Sequence, residues 1–125
     1  MRFVSESEKI SGNGFVIINA ENNISDSIIG TIGSIIANSP IYEEGTIIIT
    51  MAYYEYENEE KIKISARTVG KPQRNLKKLL EEVIKKTGGN FGGHEFAAGG
   101  LIVKEKEKEF LELLKKSFEV ELIKV

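Results

Sequence analysis

The chain has 125 residues and a formal net charge of −2, with no cysteine and one histidine, His94. This length suits a single domain with its own core, and the missing cysteines exclude thiol chemistry and Cys/His zinc sites. The only aspartate is Asp26, which argues against a complete two-metal hydrolase, whose ligands are several Asp and His side chains. The near-neutral charge also argues against tight binding of DNA by charge alone, which needs a basic footprint. No stretch approaches the roughly 20 apolar residues of a membrane span, so we expect a cytoplasmic protein with no membrane contact.

The N-terminal part of the sequence predicts a strand and then a helix. Residues 1–13 are polar and are predicted to be a linker ahead of a domain at 14–125, and FVIINA at 15–20 predicts a buried strand. Ser25 is a suitable N-cap for the helix that follows. Its predicted apolar face carries Ile24, Ile28, Ile32, Ile35 and Ile36, with Ile29 at the margin. Two glycines inside this helix, Gly30 and Gly33, indicate that another element packs closely against it.

The middle of the chain predicts an antiparallel hairpin. TIIITMAYYEY at 46–56 is rich in β-branched and aromatic residues, and its three consecutive isoleucines indicate burial on both faces. After the polar ENEE, the segment KIKISART at 61–68 alternates between two faces. One face carries Ile62, Ile64, Ala66 and Thr68, and the other carries Lys61, Lys63, Ser65 and Arg67. The second set is a basic stripe that either contacts an anion or is an ordinary solvated face.

The last part of the chain predicts two more helices and two strands. Leu76, Leu79, Leu80, Val83 and Ile84 have helical spacing, and Gly88-Gly89 suits a C-cap. LIVK at 101–104 predicts a strand, 104–118 a helix, and 119–124 a final strand. The predicted order is β-α-β-β-α-β-α-β, an α/β domain with a mixed sheet and helices packed on it. The tyrosines at 53, 54 and 56 could stack on bases, but core packing is the preferred interpretation for most of them.

The glycine-rich segment GGHEFAAGG at 92–100 is the densest chemical signal. Glycines allow a close backbone approach to an anion, successive N–H groups can form an anion-binding nest, and His94 adds a directional donor. A plain glycine-rich connection between a helix and a strand is the alternative. The segment is neither a Walker loop, since it lacks the Gly-Lys-Ser/Thr ending, nor a dinucleotide-binding fingerprint, since it follows a helix.

This segment resembles the signature of the DHH-associated domain, the C-terminal partner of the catalytic domain in DHH-family phosphoesterases. Three glycines, a histidine, two variable residues and Ala-Ala-Gly are usual there, and Phe91 stands at the first glycine position. SDSIIGTIGSI at 25–35 and KISART at 63–68 are similar to the opening helix and the arginine-bearing strand of that family. The resemblance covers about residues 14 to 118 and is strongest to archaeal RecJ-like single-strand exonucleases. The alanyl-tRNA-synthetase branch usually has Arg where His94 stands, which favours the phosphoesterase branch.

The resemblance implies a domain that binds the phosphates of single-stranded DNA or RNA. His94 and the backbone of Gly92 and Gly93 would contact one phosphate and Arg67 another, with Ser65 and Lys63 on the same face. The DHH catalytic domain, on the same or a separate chain, would supply manganese or magnesium, and this chain alone would be inactive and hold no cofactor. The alternatives are a scaffold domain in an archaeal replication complex, with replication proteins as partners, and the substrate-binding half of a phosphoesterase for small oligonucleotides or cyclic dinucleotides. We also expect Gly93→Val to abolish anion binding and to leave the fold largely intact, if this segment is an exposed loop.

Overall fold

Six strands and three helices make up the part of the chain that the computed structural model describes, residues 8–12, 14–71 and 74–118. The strands are β1 (Glu8–Gly12), β2 (Phe15–Asn19), β3 (Ile47–Tyr56), β4 (Glu59–Thr68), β5 (Asn90–His94) and β6 (Ala97–Val103). The helices are α1 (Asp26–Ala37), α2 (Leu76–Thr87) and α3 (Glu107–Phe118), the last preceded by a 3-10 turn at Lys104–Lys106. The strands form one sheet in the order β1-β2-β3-β4-β6-β5, with β2 parallel to β3 and the other described pairs antiparallel. The predicted α/β class with a mixed sheet is therefore confirmed.

Helices cover the two faces of the sheet, so the central strands are buried on both sides. Helix α1 packs on one face in a cluster that includes Ile48, and α2 and α3 pack on the other face over Ile47 and Ile49. This arrangement confirms the burial predicted from the three consecutive isoleucines. Helix α2 also matches its prediction, because Asn75 caps its N-terminus through Lys78 N–H, and Gly88 follows its C-terminus with a φ of 81°.

The contact face of α1 differs from its prediction. Ile29, placed at the margin by the isoleucine pattern, is fully buried, whereas Ile28 and Ile35 are 47% and 50% exposed. The glycines explain the difference, because α1 turns Gly33 toward the sheet, where a Cβ would lie 3.2 Å from Thr50 Oγ1. A periodicity search weighs apolar side chains and gives no weight to a glycine that permits close approach. The predicted cap is confirmed, because Ser25 Oγ accepts from the N–H of Ser27.

Two strands lie where the sequence predicted none. Residues 8–12 form β1, antiparallel to β2, within the segment predicted to be a linker. The glycine-rich segment forms β5 and the start of β6, joined by the two-residue turn Glu95–Phe96. The hairpin predicted at 46–68 is confirmed, with Glu57 and Asn58 at positive φ in its turn, as tight hairpins require. The strand predicted at 119–124 lies outside the described residues.

No described helix combines the length and the apolar composition needed to cross a bilayer.

Candidate phosphate-binding cleft

An open cleft of about 470 Å³ lies where α1 approaches strands β4, β6 and β5. Its lining combines two cations of β4 with glycines and alanines of the β5–β6 hairpin: Gly30, Lys63, Ile64, Ser65, Arg67, Gly92, Gly93, Ala97, Ala98, Gly99 and Gly100. Small residues dominate the hairpin side, so a ligand there would meet backbone. The sequence predicted a loop, but Gly92 and Gly93 lie on an edge strand, whose outward backbone N–H and C=O groups have no ladder partner among the described strands.

Strand register places the cleft residues in parallel rows. Residues directly opposite one another on paired strands have side chains on the same face. The registers give three rows across β4, β6 and β5, namely Arg67–Ala97–His94, Ser65–Gly99–Gly92 and Lys63–Leu101–Asn90. The middle row has almost no side chain and forms a trough between the two polar rows. Two strand spacings, about 10 Å, separate the backbones of Arg67 and His94.

Arg67 is fixed in position by two hydrogen bonds. Its Nε donates to Ser34 Oγ at 3.1 Å and its Nη1 donates to the carbonyl of Ala66 at 2.9 Å. A guanidinium has five N–H donors, so three remain for a ligand. Among the side chains that the structure describes, no carboxylate forms an ion pair with Arg67. An oriented guanidinium without a counter-ion in the described part of the chain is suited to bind phosphate through two parallel N–H groups.

Helix α1 forms one wall of the cleft because its glycines allow it to lie close to β4. A Cβ on Gly30 would lie 3.7 Å from Ser65 Oγ, and one on Gly33 would lie 4.0 Å from Arg67 Cγ. This packing brings Ser34 within reach of the Arg67 guanidinium. Ser65 is only 4% exposed, so it lies at the bottom of the cleft rather than on a solvated stripe.

His94 stands at the rim of the cleft, outside its lining, at the end of β5. The side chain is exposed, and its Nδ1 accepts a hydrogen bond of 3.3 Å from the N–H of Phe96. A neutral imidazole that accepts at Nδ1 carries its proton on Nε2. The turn therefore leaves the Nε2–H of His94 as an outward donor, in the same row as Arg67.

The two glycines before His94 have different structural roles. Gly93 has a φ of +117°, and a Cβ there would lie 2.7 Å from Ala98 Cα in the neighbouring strand. Gly92 is not among the residues at positive φ, and a Cβ there would meet no atom within 4 Å. The expectation that Gly93→Val leaves the fold intact is wrong, because any side chain at 93 collides with the β6 backbone. Gly92 is the glycine that leaves space in the cleft.

The cleft brings together five of the six residues singled out in the sequence. Lys63, Ser65, Arg67, Gly92 and Gly93 line it, and His94 lies in the Arg67 row at its rim. Sequence reasoning missed the contribution of Ser34, which orients Arg67, and of Gly99, which continues the trough. The close packing inferred from Gly30 and Gly33 was the one signal that pointed to α1 as a wall.

Tyr53 belongs to a different pocket, of about 290 Å³, on the face covered by α3. Its hydroxyl donates to the Glu107 carboxylate at 2.6 Å from Oε2, and Asn19 Nδ2 donates to the same oxygen at 2.9 Å. Burial, together with the hydrogen bond to Glu107, raises the pKa of Tyr53 well above its usual range. Lys104 Nζ lies 4.5 Å from the ring centroid. These contacts give Tyr53 a structural role. Lys104 covers one face of its ring, so a base cannot stack on that face.

Within the described ranges, no group of three His, Asp or Glu side chains is placed to hold a metal ion.

A sequence profile of the DHHA1 domain matches residues 13–120. No curated protein sequence is significantly similar to the chain. Among solved structures, the C-Ala domain of alanyl-tRNA synthetase from Aquifex aeolicus has a TM-score of 0.60 at 19% identity, covering 87% of this chain and 95% of that one. The chain also resembles two larger proteins.

One of these is PggH, a pGpG-specific phosphodiesterase from Vibrio cholerae, with a TM-score of 0.59 at 16% identity. The other is a DHH-domain protein described as a member of a family of ribosomal proteins, with a TM-score of 0.53 at 20% identity. Each match covers 93% of this chain but only 36% and 28% of the respective structures. At these identities the similarity establishes a shared fold.

Proposed function

The chain belongs to the DHHA1 domain family, and from that premise we propose that its cleft binds the phosphate backbone of a single-stranded nucleic acid or oligonucleotide. The proposal rests on the cross-strand rows that place Arg67 and His94 beside Gly92 and Gly99. An oriented arginine without a described counter-ion and a histidine donor share one cross-strand row, with their backbones about 10 Å apart, beside a trough of bare backbone. Phosphate contacts of this kind position a strand without reading its sequence.

The domain would act as the substrate-binding half of a DHH phosphoesterase. The catalytic half, on the same or another chain, would carry the Asp and His ligands for manganese or magnesium that this sequence lacks. Two larger structures that contain the same fold, the pGpG-specific phosphodiesterase and the DHH-domain protein, support this assignment. The narrower resemblance to archaeal RecJ-like exonucleases, and the replication partners that it implies, stay predictions.

A short oligonucleotide is the second candidate ligand. It is favoured by the structural similarity to an enzyme named as pGpG-specific. A series of labelled single strands of increasing length separates the two candidates. Affinity that stops rising at two nucleotides indicates a dinucleotide site, and affinity that rises further indicates a longer strand.

The binding proposal is tested by fluorescence anisotropy with a labelled single strand at two salt concentrations. We expect weak binding that falls as salt rises, because few cations are available to release counter-ions. Arg67→Ala should weaken binding about ten-fold or more, the cost of losing hydrogen bonds to a charged group. Lys86→Ala, which removes one exposed positive charge from α2 on the opposite face, is the matched control. Equal affinity of Arg67→Ala and the wild-type protein, or tight binding insensitive to salt, would contradict the proposal.

A further inference from the structure

Phe96 is a large apolar side chain in an exposed position at the tip of the β5–β6 hairpin. Its side chain is 55% exposed, although it occupies one of only two residues in the turn. Turn positions with no packing role are usually filled by Gly, Asn, Asp or Ser. An exposed ring beside a candidate binding cleft is therefore a candidate contact for a bound ligand.

The turn holds Phe96 in a defined position. The carbonyl of Glu95 accepts a hydrogen bond of 3.2 Å from the N–H of Leu76, which ties the hairpin tip to the first turn of α2. The N–H of Phe96 donates to His94 Nδ1 at 3.3 Å. The His94 and Phe96 rings meet edge to face, with centroids 5.8 Å apart and planes at 65°. A ring held in this way loses little conformational freedom when a ligand stacks on it.

We infer that Phe96 stacks on a nucleobase of the bound strand, an inference that rests on the proposed phosphate-binding function. His94 links the ring to the cleft, because it touches Phe96 and shares a cross-strand row with Arg67. A strand whose phosphate contacts His94 can place the adjoining base against the Phe96 ring, because the Phe96 ring contacts that of His94 at the hairpin tip. All four bases have a π-face, so this contact selects single-stranded over paired bases and tolerates any sequence.

Two other tyrosines, Tyr53 and Tyr56, are not placed to do this. Tyr53 lies on the opposite face of the sheet, bonded to Glu107. Tyr56 is as exposed as Phe96, at 55%, with Lys61 Nζ 5.9 Å from its ring centroid. It pairs with Glu59, however, eight residues along β4 from Arg67, which is about 26 Å at the usual rise per residue. Tyr56 is therefore a matched control for an exposed aromatic remote from Arg67.

The test compares two ligands, a short labelled oligothymidylate and a base-free sugar-phosphate oligomer of the same length. Phe96→Leu should weaken binding of oligothymidylate about ten-fold and leave binding of the base-free oligomer unchanged. Tyr56→Leu should change neither. Phe96→Trp should bind oligothymidylate like the wild-type protein. Because the chain has no tryptophan, this substitution adds a single fluorophore, whose emission the stacked base should quench.

The two ligands also separate the inference from the function on which it rests. If Arg67→Ala weakens binding of the base-free oligomer and Phe96→Leu changes neither ligand, the stacking inference is wrong and the phosphate site stands. Loss of both ligands in Phe96→Leu would mean that the side chain supports the hairpin and not a base, which also overturns it. Wild-type binding of the base-free oligomer by Arg67→Ala would overturn the proposed function itself. Thermal unfolding followed by circular dichroism checks that each variant is folded.

Discussion

Substitutions at two adjacent glycines should affect different properties, nucleic-acid binding at Gly92 and stability at Gly93. Gly92 does not have a positive φ, so leucine can adopt the same backbone conformation. In Gly92→Leu the side chain enters the cleft, where a Cβ meets no atom within 4 Å. Surface changes of this kind usually alter the free energy of unfolding by less than about 0.5 kcal/mol. The leucine fills the trough between the Arg67 and Lys63 rows, so we expect nucleic-acid affinity to fall about ten-fold or more.

Gly93→Ala should instead destabilise the fold. A residue with a Cβ at positive φ costs roughly 1–2 kcal/mol, and overpacking against a strand adds about 1–3 kcal/mol. Both costs apply to Gly93→Ala, because the φ of residue 93 is +117° and its Cβ would lie 2.7 Å from Ala98 Cα. The sum is at least about 2 kcal/mol, which lowers the Tm of a chain this size by about 6–10 °C.

The assay pairs thermal unfolding, followed by circular dichroism, with anisotropy titration of a labelled single strand. Gly92→Leu should have a wild-type Tm and weak binding, and Gly93→Ala a reduced Tm. If Gly92→Leu melts as early as Gly93→Ala, the open environment assigned to position 92 is wrong. If it melts normally and binds normally, the trough is not the binding site.

The remaining predictions concern contacts outside the hairpin. Arg67→Lys should weaken single-strand binding about ten-fold in anisotropy titrations, because the fork held by Ser34 and Ala66 becomes a point charge, and a wild-type affinity would contradict this. Gly30→Ala should raise the Tm by about 3–5 °C, since a Cβ there makes an ordinary 3.7 Å contact with Ser65 Oγ and alanine gains about 1 kcal/mol in a helix. Gly33→Leu should lower it, because Thr50 Oγ1 would lie 3.2 Å from the new Cβ. Tyr53 has its pKa raised in the fold by burial and by Glu107, whereas an unfolded tyrosine ionises near pH 10. Its contribution to stability is therefore complete below about pH 10 and is lost as the pH rises further. Denaturant midpoints measured between pH 8 and 11 test this, and Glu107→Gln should reduce the loss.

The elements that could be predicted from the sequence are those whose apolar side chains recur at helical or strand spacing. Helix α2 and the β3–β4 hairpin follow directly from their apolar spacing, and both are present as expected. Strand β5 has the sequence NFGGH and only one apolar side chain, so no alternation was available to reveal it. Its partner β6 follows directly after the turn Glu95–Phe96, but β6 begins with Ala-Ala-Gly-Gly, so neither strand has the alternating side chains that would predict the pairing.

The residues of the candidate site could be predicted, but their arrangement could not. Composition and resemblance pointed to Arg67, His94 and the two glycines that precede His94 in the sequence. Only the strand register shows that Arg67 and His94 share a row and that Ser65 lies in the row of Gly92. A shift of one residue in either pairing would turn one of these strands to the opposite face. The role of Ser34 depends on the rotation of α1, which the isoleucine pattern placed incorrectly.

The departure from the family pattern at Phe91 is explained by the same register. Phe91 pairs with Gly100 and packs, half-buried, against the core on the side of α2 and α3. Gly100 faces α2 as well, since a Cβ there would collide with Ile84 Cδ1. A phenylalanine at 91 thus adds apolar surface to the core and leaves the cleft face, formed by Gly92 and Gly99, unchanged. The glycines of this segment are therefore needed for different reasons. Gly92 leaves open space in the cleft, Gly93 has a positive φ, and Gly100 allows α2 to pack closely. A substitution at one glycine position of the family pattern, such as Phe91, therefore does not imply that the site is lost.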